Sequence, residues 1–299
     1  MLFCLMLSAL AGCAQVEVLS VDKMDIPEPG GYYHPRLDGL GTRLLLTAEN
    51  YAGLQLLDLQ SGRLTRVSEG AGAGYSPVFT PDGSAIVYVE NEFIRNLKYS
   101  KLLAYRVDGG RTELLEPAAR SLTAPMVAGN RVHFKADNQL KSALIGSGAV
   151  PGRQPLFAGI EEQQLVLYRD GVGRTLTPYE GESYIWPSVS PDGKRILAYA
   201  MGKGAFVCDT AGLILAEFGL LEAPVWAGDK FIAGMETRDD GHRITASSIL
   251  LAEVETGKKT ALTPEGIIAL HPSVSPAKGL VVFHTPAGEI YQLRYHVRR

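Results

Sequence analysis

Trp186-Pro187-Ser188-Val189-Ser190-Pro191-Asp192-Gly193-Lys194-Arg195-Ile196 carries the pattern that decides the fold: a residue before proline, a tight turn, then an apolar run. Proline presets φ, aspartate bonds its own backbone and glycine accepts positive φ, so Ser190-Pro191-Asp192-Gly193 closes a hairpin. The run that follows, Ile196-Leu197-Ala198-Tyr199, is apolar at successive positions, as in a strand covered on both faces. The same order recurs around Pro35, Pro77, Pro125, Pro187, Pro224 and Pro272, at spacings of 42, 48, 62, 37 and 48 residues. That rhythm matches roughly 40–50 residues per four-stranded propeller blade.

The remaining units fill in the same way. Thr80-Pro81-Asp82-Gly83 repeats the turn, and Ser275-Pro276-Ala277-Lys278-Gly279 is a looser version. Leu44-Leu45-Leu46, Ile86-Val87-Tyr88-Val89 and Leu280-Val281-Val282-Phe283 repeat the apolar run. A second hairpin ends each unit, turning at Ser61-Gly62, Asp170-Gly171 and Thr256-Gly257. No window shows a sustained 3.6-residue apolar period, which makes the chain all-β. The 27 residues after Pro272 fall short of a blade, and the 22 from Cys13 to His34 make up the difference. The expected architecture is therefore a six-bladed β-propeller over residues 32–299. Val16-Glu17-Val18-Leu19-Ser20-Val21 would complete the last blade beside a strand from Glu289 to Val297. Closure of this kind removes the sheet edges that invite aggregation. Six units fit an open two-sheet sandwich poorly.

The 186–196 stretch, Tyr75-Ser76-Pro77-Val78-Phe79-Thr80-Pro81-Asp82-Gly83 and part of His271-Pro272-Ser273-Val274-Ser275-Pro276 resemble the repeat of TolB-type propellers, the Pro-Asp variant of WD repeats. The resemblance covers about residues 32–299. It implies the propeller fold and leaves the function open, because that family spans the periplasmic TolB protein, envelope lipoproteins and non-catalytic propellers of peptidases. TolB carries an α/β domain ahead of its propeller, for which residues 13–31 leave no room.

The start of the chain reads as an address. Met1 to Gly12, MLFCLMLSALAG, is too short to span a bilayer as a helix and has the apolar character of a secretion signal. Leu10-Ala11-Gly12-Cys13 resembles the lipobox of bacterial lipoproteins. That resemblance implies cleavage before Cys13, lipidation of its thiol, and a membrane-anchored segment at 13–31. Ala14, in place of the aspartate that favours inner-membrane retention in enterobacterial lipoproteins, points to a periplasmic protein held at the outer membrane. With Cys4 in the signal and Cys13 lipid-linked, Cys208 stands alone in an apolar run and no intramolecular disulfide is possible. A net charge of −3, from 29 Lys+Arg and 32 Asp+Glu without basic runs, speaks against nucleic acid as a partner.

Catalytic motifs are absent: there is no His-Glu-x-x-His, no paired cysteine motif and no nucleophile elbow. Topology supplies the candidate site instead. Each inner strand starts on the face where blades connect, so the residue before each repeat proline should ring the channel mouth. These residues are His34, Ser76, Ala124, Trp186, Ala223 and His271, with Tyr75 one step further out. The Asp239-Asp240-Gly241-His242 loop should project onto the same face, together with an insertion near Asp137 to Glu161 that accounts for the 62-residue spacing. Convergent aromatics, imidazoles and carboxylates suit a binding face. The primary expectation is a non-enzymatic envelope scaffold that binds a protein or peptide partner through His34, Tyr75, Trp186, Asp239, Asp240, His242 and His271. It assigns no catalytic residue, metal or cofactor. One alternative is a metal-dependent carbohydrate-active enzyme using His34, His242 and His271, since a His-rich mouth is similar to that of oligogalacturonate lyases, whose related propeller binds a metal through imidazoles. Another is a sensor that binds a small ligand in the channel.

Overall fold

The apolar runs form strands of nearly complete burial. Leu44, Leu46, Ile86, Val87, Ile196, Leu197, Val281 and Val282 are all sealed from solvent, as expected where each sheet is covered by a neighbour on both sides. The computed structural model describes residues 15–145 and 156–298. Its strands are arranged in seven antiparallel sheets. Blade 1 spans residues 33–68, blade 2 78–119, blade 5 184–219 and blade 6 222–261, each with four strands in chain order. Blade 7 spans 270–298 and takes its fourth strand, Gln15–Lys23, from the other end of the chain.

The count corrects the six-bladed expectation. Blades 3 and 4, residues 126–144 and 156–176, each show three strands among the described residues. Together they occupy the 62-residue interval that had been read as one blade with an insertion near Asp137 to Glu161. Part of that interval lies outside the described residues. The two sheets pack face to face: His133 of blade 3 stacks on Phe157 of blade 4 at 4.5 Å, and Phe157 stacks on Tyr168 at 4.7 Å. Gln163, in the turn after Leu156–Glu161, accepts a hydrogen bond from the Tyr184 N–H at 2.9 Å, beside the start of blade 5's inner strand. The blade-4 strands therefore match the second to fourth strands of the other blades.

Ring closure takes the expected form. Gln15–Lys23 pairs antiparallel with Ile290–Arg298, from Gln15 opposite Arg298 to Lys23 opposite Tyr291. The Glu17–Arg298 and Lys23–Glu289 ion pairs, at 2.5 and 2.7 Å, pin the two ends of this ladder. Neighbouring blades then touch around the ring from blade 2 through blade 7 to blade 1, inner strand against inner strand except at blade 4, where Leu156–Glu161 makes the contacts. Blades 1 and 2 are joined by Arg43 donating to the Gly83 carbonyl at 2.8 Å and by Ser68 donating to Glu90 at 2.5 Å.

The repeat proline has a local consequence that shapes the mouth. His34, Ser76, Trp186, Ala223 and His271 all adopt positive φ, between 45° and 52°. In blades 1, 5, 6 and 7 the strand register slips across this residue and its proline. Proline pushes the residue before it away from helical φ/ψ, and a left-handed conformation there costs a non-glycine residue roughly 1–2 kcal/mol. Bulges of this kind turn a side chain out of the pleat, here toward the mouth. Ala124 of the predicted set does not share the conformation.

Candidate metal centre

Blades 7 and 1 meet at their inner strands, and three imidazoles gather there. His34 opens the inner strand of blade 1, Tyr33–Leu37, and His271 opens that of blade 7, Leu270–Ser275. His284 closes the second strand of blade 7, Leu280–His284, which returns to the mouth from the opposite face. Ring centroids lie 4.5 Å apart for His34 and His271, 5.1 Å for His34 and His284, and 5.4 Å for the stacked pair His271 and His284. One ligand nitrogen from each lies within 4.8 Å of the other two. The Leu37 N–H donates to Ser273 Oγ at 2.9 Å, which fixes the two inner strands side by side.

The protonation pattern of His284 bears on what the cluster can hold. Its Nδ1 lies 2.9 Å from the Thr285 carbonyl oxygen, which can only accept, so Nδ1 carries the hydrogen. Nε2 is left with a lone pair, buried and without a hydrogen-bond partner, on a residue only 3% exposed. A backbone carbonyl that orients one ring nitrogen and frees the other is the usual second layer of a metal site. An orphaned buried acceptor facing two further imidazoles therefore fits a divalent transition metal.

The electrostatics favour ligation. Burial pushes the His34 imidazole down to about 3, helped by its two histidine neighbours and Arg36. Burial likewise lowers His271 to about 4, with His284 and Arg36 adding to the shift. His284 is lowered mainly by burial, against its Thr285 hydrogen bond. All three rings are thus neutral at physiological pH, the form that binds metal. Arg36 is reachable by solvent from the channel but surrounded by protein, and burial pulls its guanidinium pKa down; it makes no ion pair among the described residues and is close enough to act on His34, His271 and Tyr51. Tyr51 stacks on His34 at 4.4 Å, Tyr75 meets Tyr51 edge-on at 5.2 Å, and Tyr33 meets His284 edge-on at 5.4 Å.

The predicted residues divide accordingly. His34, His271 and Tyr75 belong to this assembly. Trp186 lies at its own blade's mouth, edge-on to Tyr199 at 5.4 Å. Asp239, Asp240 and His242 do not join the histidines. They cap the long hairpin of blade 6, where Asp239 accepts from the Gly241 N–H, and Asp240 from those of His242 and Arg243. Of the three histidines named by the alternative reading, His34 and His271 come together, and His284 rather than His242 is the third imidazole beside them. Sequence reasoning placed inner-strand starts, the 239–242 loop and the 137–161 insertion at the mouth, but did not follow blade 7's second strand back to it and so passed over His284. The signal was present, because a second strand ends on the face where its inner strand began.

No family model and no curated protein sequence matches the chain. Among solved structures, it is similar to oligogalacturonate lyase from Vibrio parahaemolyticus, with 14% identity, a TM-score of 0.50, and coverage of 90% of this chain and 79% of that one. An oligogalacturonate lyase in complex with manganese gives 14% identity and a TM-score of 0.52, covering 90% and 78%. The β-propeller domain of Myceliophteria thermophila Cps50 (Swd1) gives 9% identity and a TM-score of 0.56, covering 93% and 99%. At these identities the likeness is one of fold, and the class it supports is the β-propeller.

Proposed function

We propose that this chain is an envelope lipoprotein, anchored through Cys13 and facing the periplasm from the outer membrane, whose channel mouth is a metal-dependent, carbohydrate-active site for an acidic sugar. The observation that carries this reading is the trio His34, His271 and His284 with its orphaned, buried Nε2. A divalent ion held by three protein ligands keeps positions open for a ligand oxygen and supplies Lewis-acid charge there. Arg36, an unpaired guanidinium beside the trio, selects for an anion and is placed to hold a carboxylate. Burial raises the Tyr51 phenol above its ordinary range, so it stays protonated and can donate a hydrogen bond or a proton to the ligand. Tyr75, exposed and edge-on to Tyr51, offers an aromatic surface for a sugar ring. Two structural neighbours are oligogalacturonate lyases, one with manganese, which is compatible with such a ligand.

The test is incubation of manganese-loaded protein with acidic and neutral oligosaccharides, with products followed by mass spectrometry. Acidic oligomers should be shortened by the wild type and left intact by His284→Ala. Bound metal with neither turnover nor retention of any acidic oligomer would end this reading. A second reading, non-enzymatic binding of a protein or peptide at the mouth, is favoured by exposed Phe93, Ile94 and Leu97 at the tip of the blade-2 hairpin. That hairpin rises from the same face. A pull-down from envelope extracts that survives His284→Ala and fails with Ile94→Asp would support it.

A further inference from the structure

We infer that the propeller sits on the bilayer with the face opposite its channel mouth, so that His34, His271 and His284 open away from the lipid. The inference rests on the lipid anchor proposed at Cys13 and adds to it an orientation that the blade-7 topology dictates. The inner strand of blade 7 leaves the mouth at Leu270, and the second returns to it at His284. The third starts at the mouth with Ile290 and ends on the far face at Arg298. Gln15 pairs with Arg298, so the chain joins the ring on the far face and climbs to the mouth only at Lys23. Cys13 precedes Gln15 by two residues, which reach at most about 7 Å when fully extended. An acyl group on so short a tether draws the far face, not the mouth, against the lipid.

A second observation concerns the far face itself. Leu40 lies in the first turn of blade 1, Leu144 at the far end of blade 3's third strand, and Val172 and Leu213 at the last turns of blades 4 and 5. They are 63%, 60%, 71% and 66% exposed. Arg174, beside Val172, donates to the carbonyl of Thr210, which places the turns of blades 4 and 5 together on this side. Single exposed leucines are ordinary on a protein surface. The mouth face has exposed apolar residues of its own, at Tyr75, Trp186, Met201, Leu220 and the blade-2 hairpin tip, so these four show only that the far face can meet lipid, and the short tether from Gln15 is what sets the orientation. The apolar tip at Phe93, Ile94 and Leu97 lies on the opposite face and serves as the control.

The experiment places the acylated full-length protein in phosphatidylethanolamine/phosphatidylglycerol vesicles that contain a nitroxide-labelled lipid. A fluorophore is attached to a single cysteine introduced as Leu40→Cys, Leu213→Cys, Ile94→Cys or Asp240→Cys. Cys208 is buried, with its thiol pushed up to about 12, and does not compete for label. Emission should be lost at positions 40 and 213 and retained at 94 and 240. Loss at 94 or 240, or equal loss at all four, overturns the orientation. The mass of the Cys13 peptide reads the anchor separately. An unacylated protein that washes off the vesicles removes the anchor and the orientation with it, whereas an acylated protein quenched at the mouth removes the orientation alone.

Discussion

Removing the His271 imidazole should flatten the acid sensitivity of the metal-free fold. In the folded chain burial holds this group at about 4, against about 6.5 when unfolded. A histidine depressed on folding binds its proton preferentially in the unfolded state, so stability is full above about pH 6.5 and falls as pH drops from there toward 4. At pH 5 the difference corresponds to about 2 kcal/mol at most, and to about 1–2 kcal/mol once solvent in the open mouth is counted. His34 and His284 are shifted in the same direction and steepen the fall. The assay is urea unfolding of chelator-treated protein at pH 7.5 and pH 5, followed by the fluorescence of Trp186 and Trp226. Wild type should lose about 1–2 kcal/mol more than His271→Asn between the two pH values. His133, buried in the contact between blades 3 and 4 and also depressed by burial, titrates in both proteins and cancels from the comparison. Parallel pH profiles for the two proteins would refute the neutral-imidazole account of the cluster.

Three further outcomes follow from particular contacts. Arg36→Gln should weaken retention of acidic oligosaccharides at least tenfold while leaving metal stoichiometry unchanged, read by affinity electrophoresis and elemental analysis, since a charge-assisted hydrogen bond contributes about 1.5–3 kcal/mol. Gly204→Ala would set a methyl group 2.0 Å from the Gly219 carbonyl at a φ of +96°, and should cost about 3 kcal/mol or more in urea unfolding. Val21→Asp puts a charge where the closing strand packs on the blade-7 core, and should cost about 2 kcal/mol and raise aggregation on heating, read by light scattering, as the Ile290–Arg298 edge is freed.

The fold was legible where proline marked it. Each Pro-led unit found in the sequence is a blade, and the closing strand was visible because residues 13–34 supply what the last unit lacks. Blade 4 escaped the count because the chain ahead of it, which includes Val150-Pro151 and Gln154-Pro155, was read as an insertion within the preceding unit. Its Leu165–Tyr168 run and Asp170-Gly171 turn were assigned to the preceding unit, whereas the strands of 126–144 and 156–176 form separate ladders that meet through the stack of His133 on Phe157. In the site, His34 and His271 were readable from topology, because the left-handed bulge before proline is a local property of the sequence. His284 carried the same topological signal, at the end of a second strand that returns to the mouth, but no proline marks it and it was missed. His242 failed for a different reason: its hairpin, Phe231–Asp239 with Ile244–Glu253, runs on past the ring and carries the turn with it.

Anomalous scattering from a crystal grown with manganese or zinc tests the central claim most directly. One peak should appear among His34, His271 and His284, about 2.0–2.2 Å from a nitrogen of each, and should vanish in His284→Ala. Full metal loading with no peak at this trio, or a peak that persists unchanged in the variant, would contradict it.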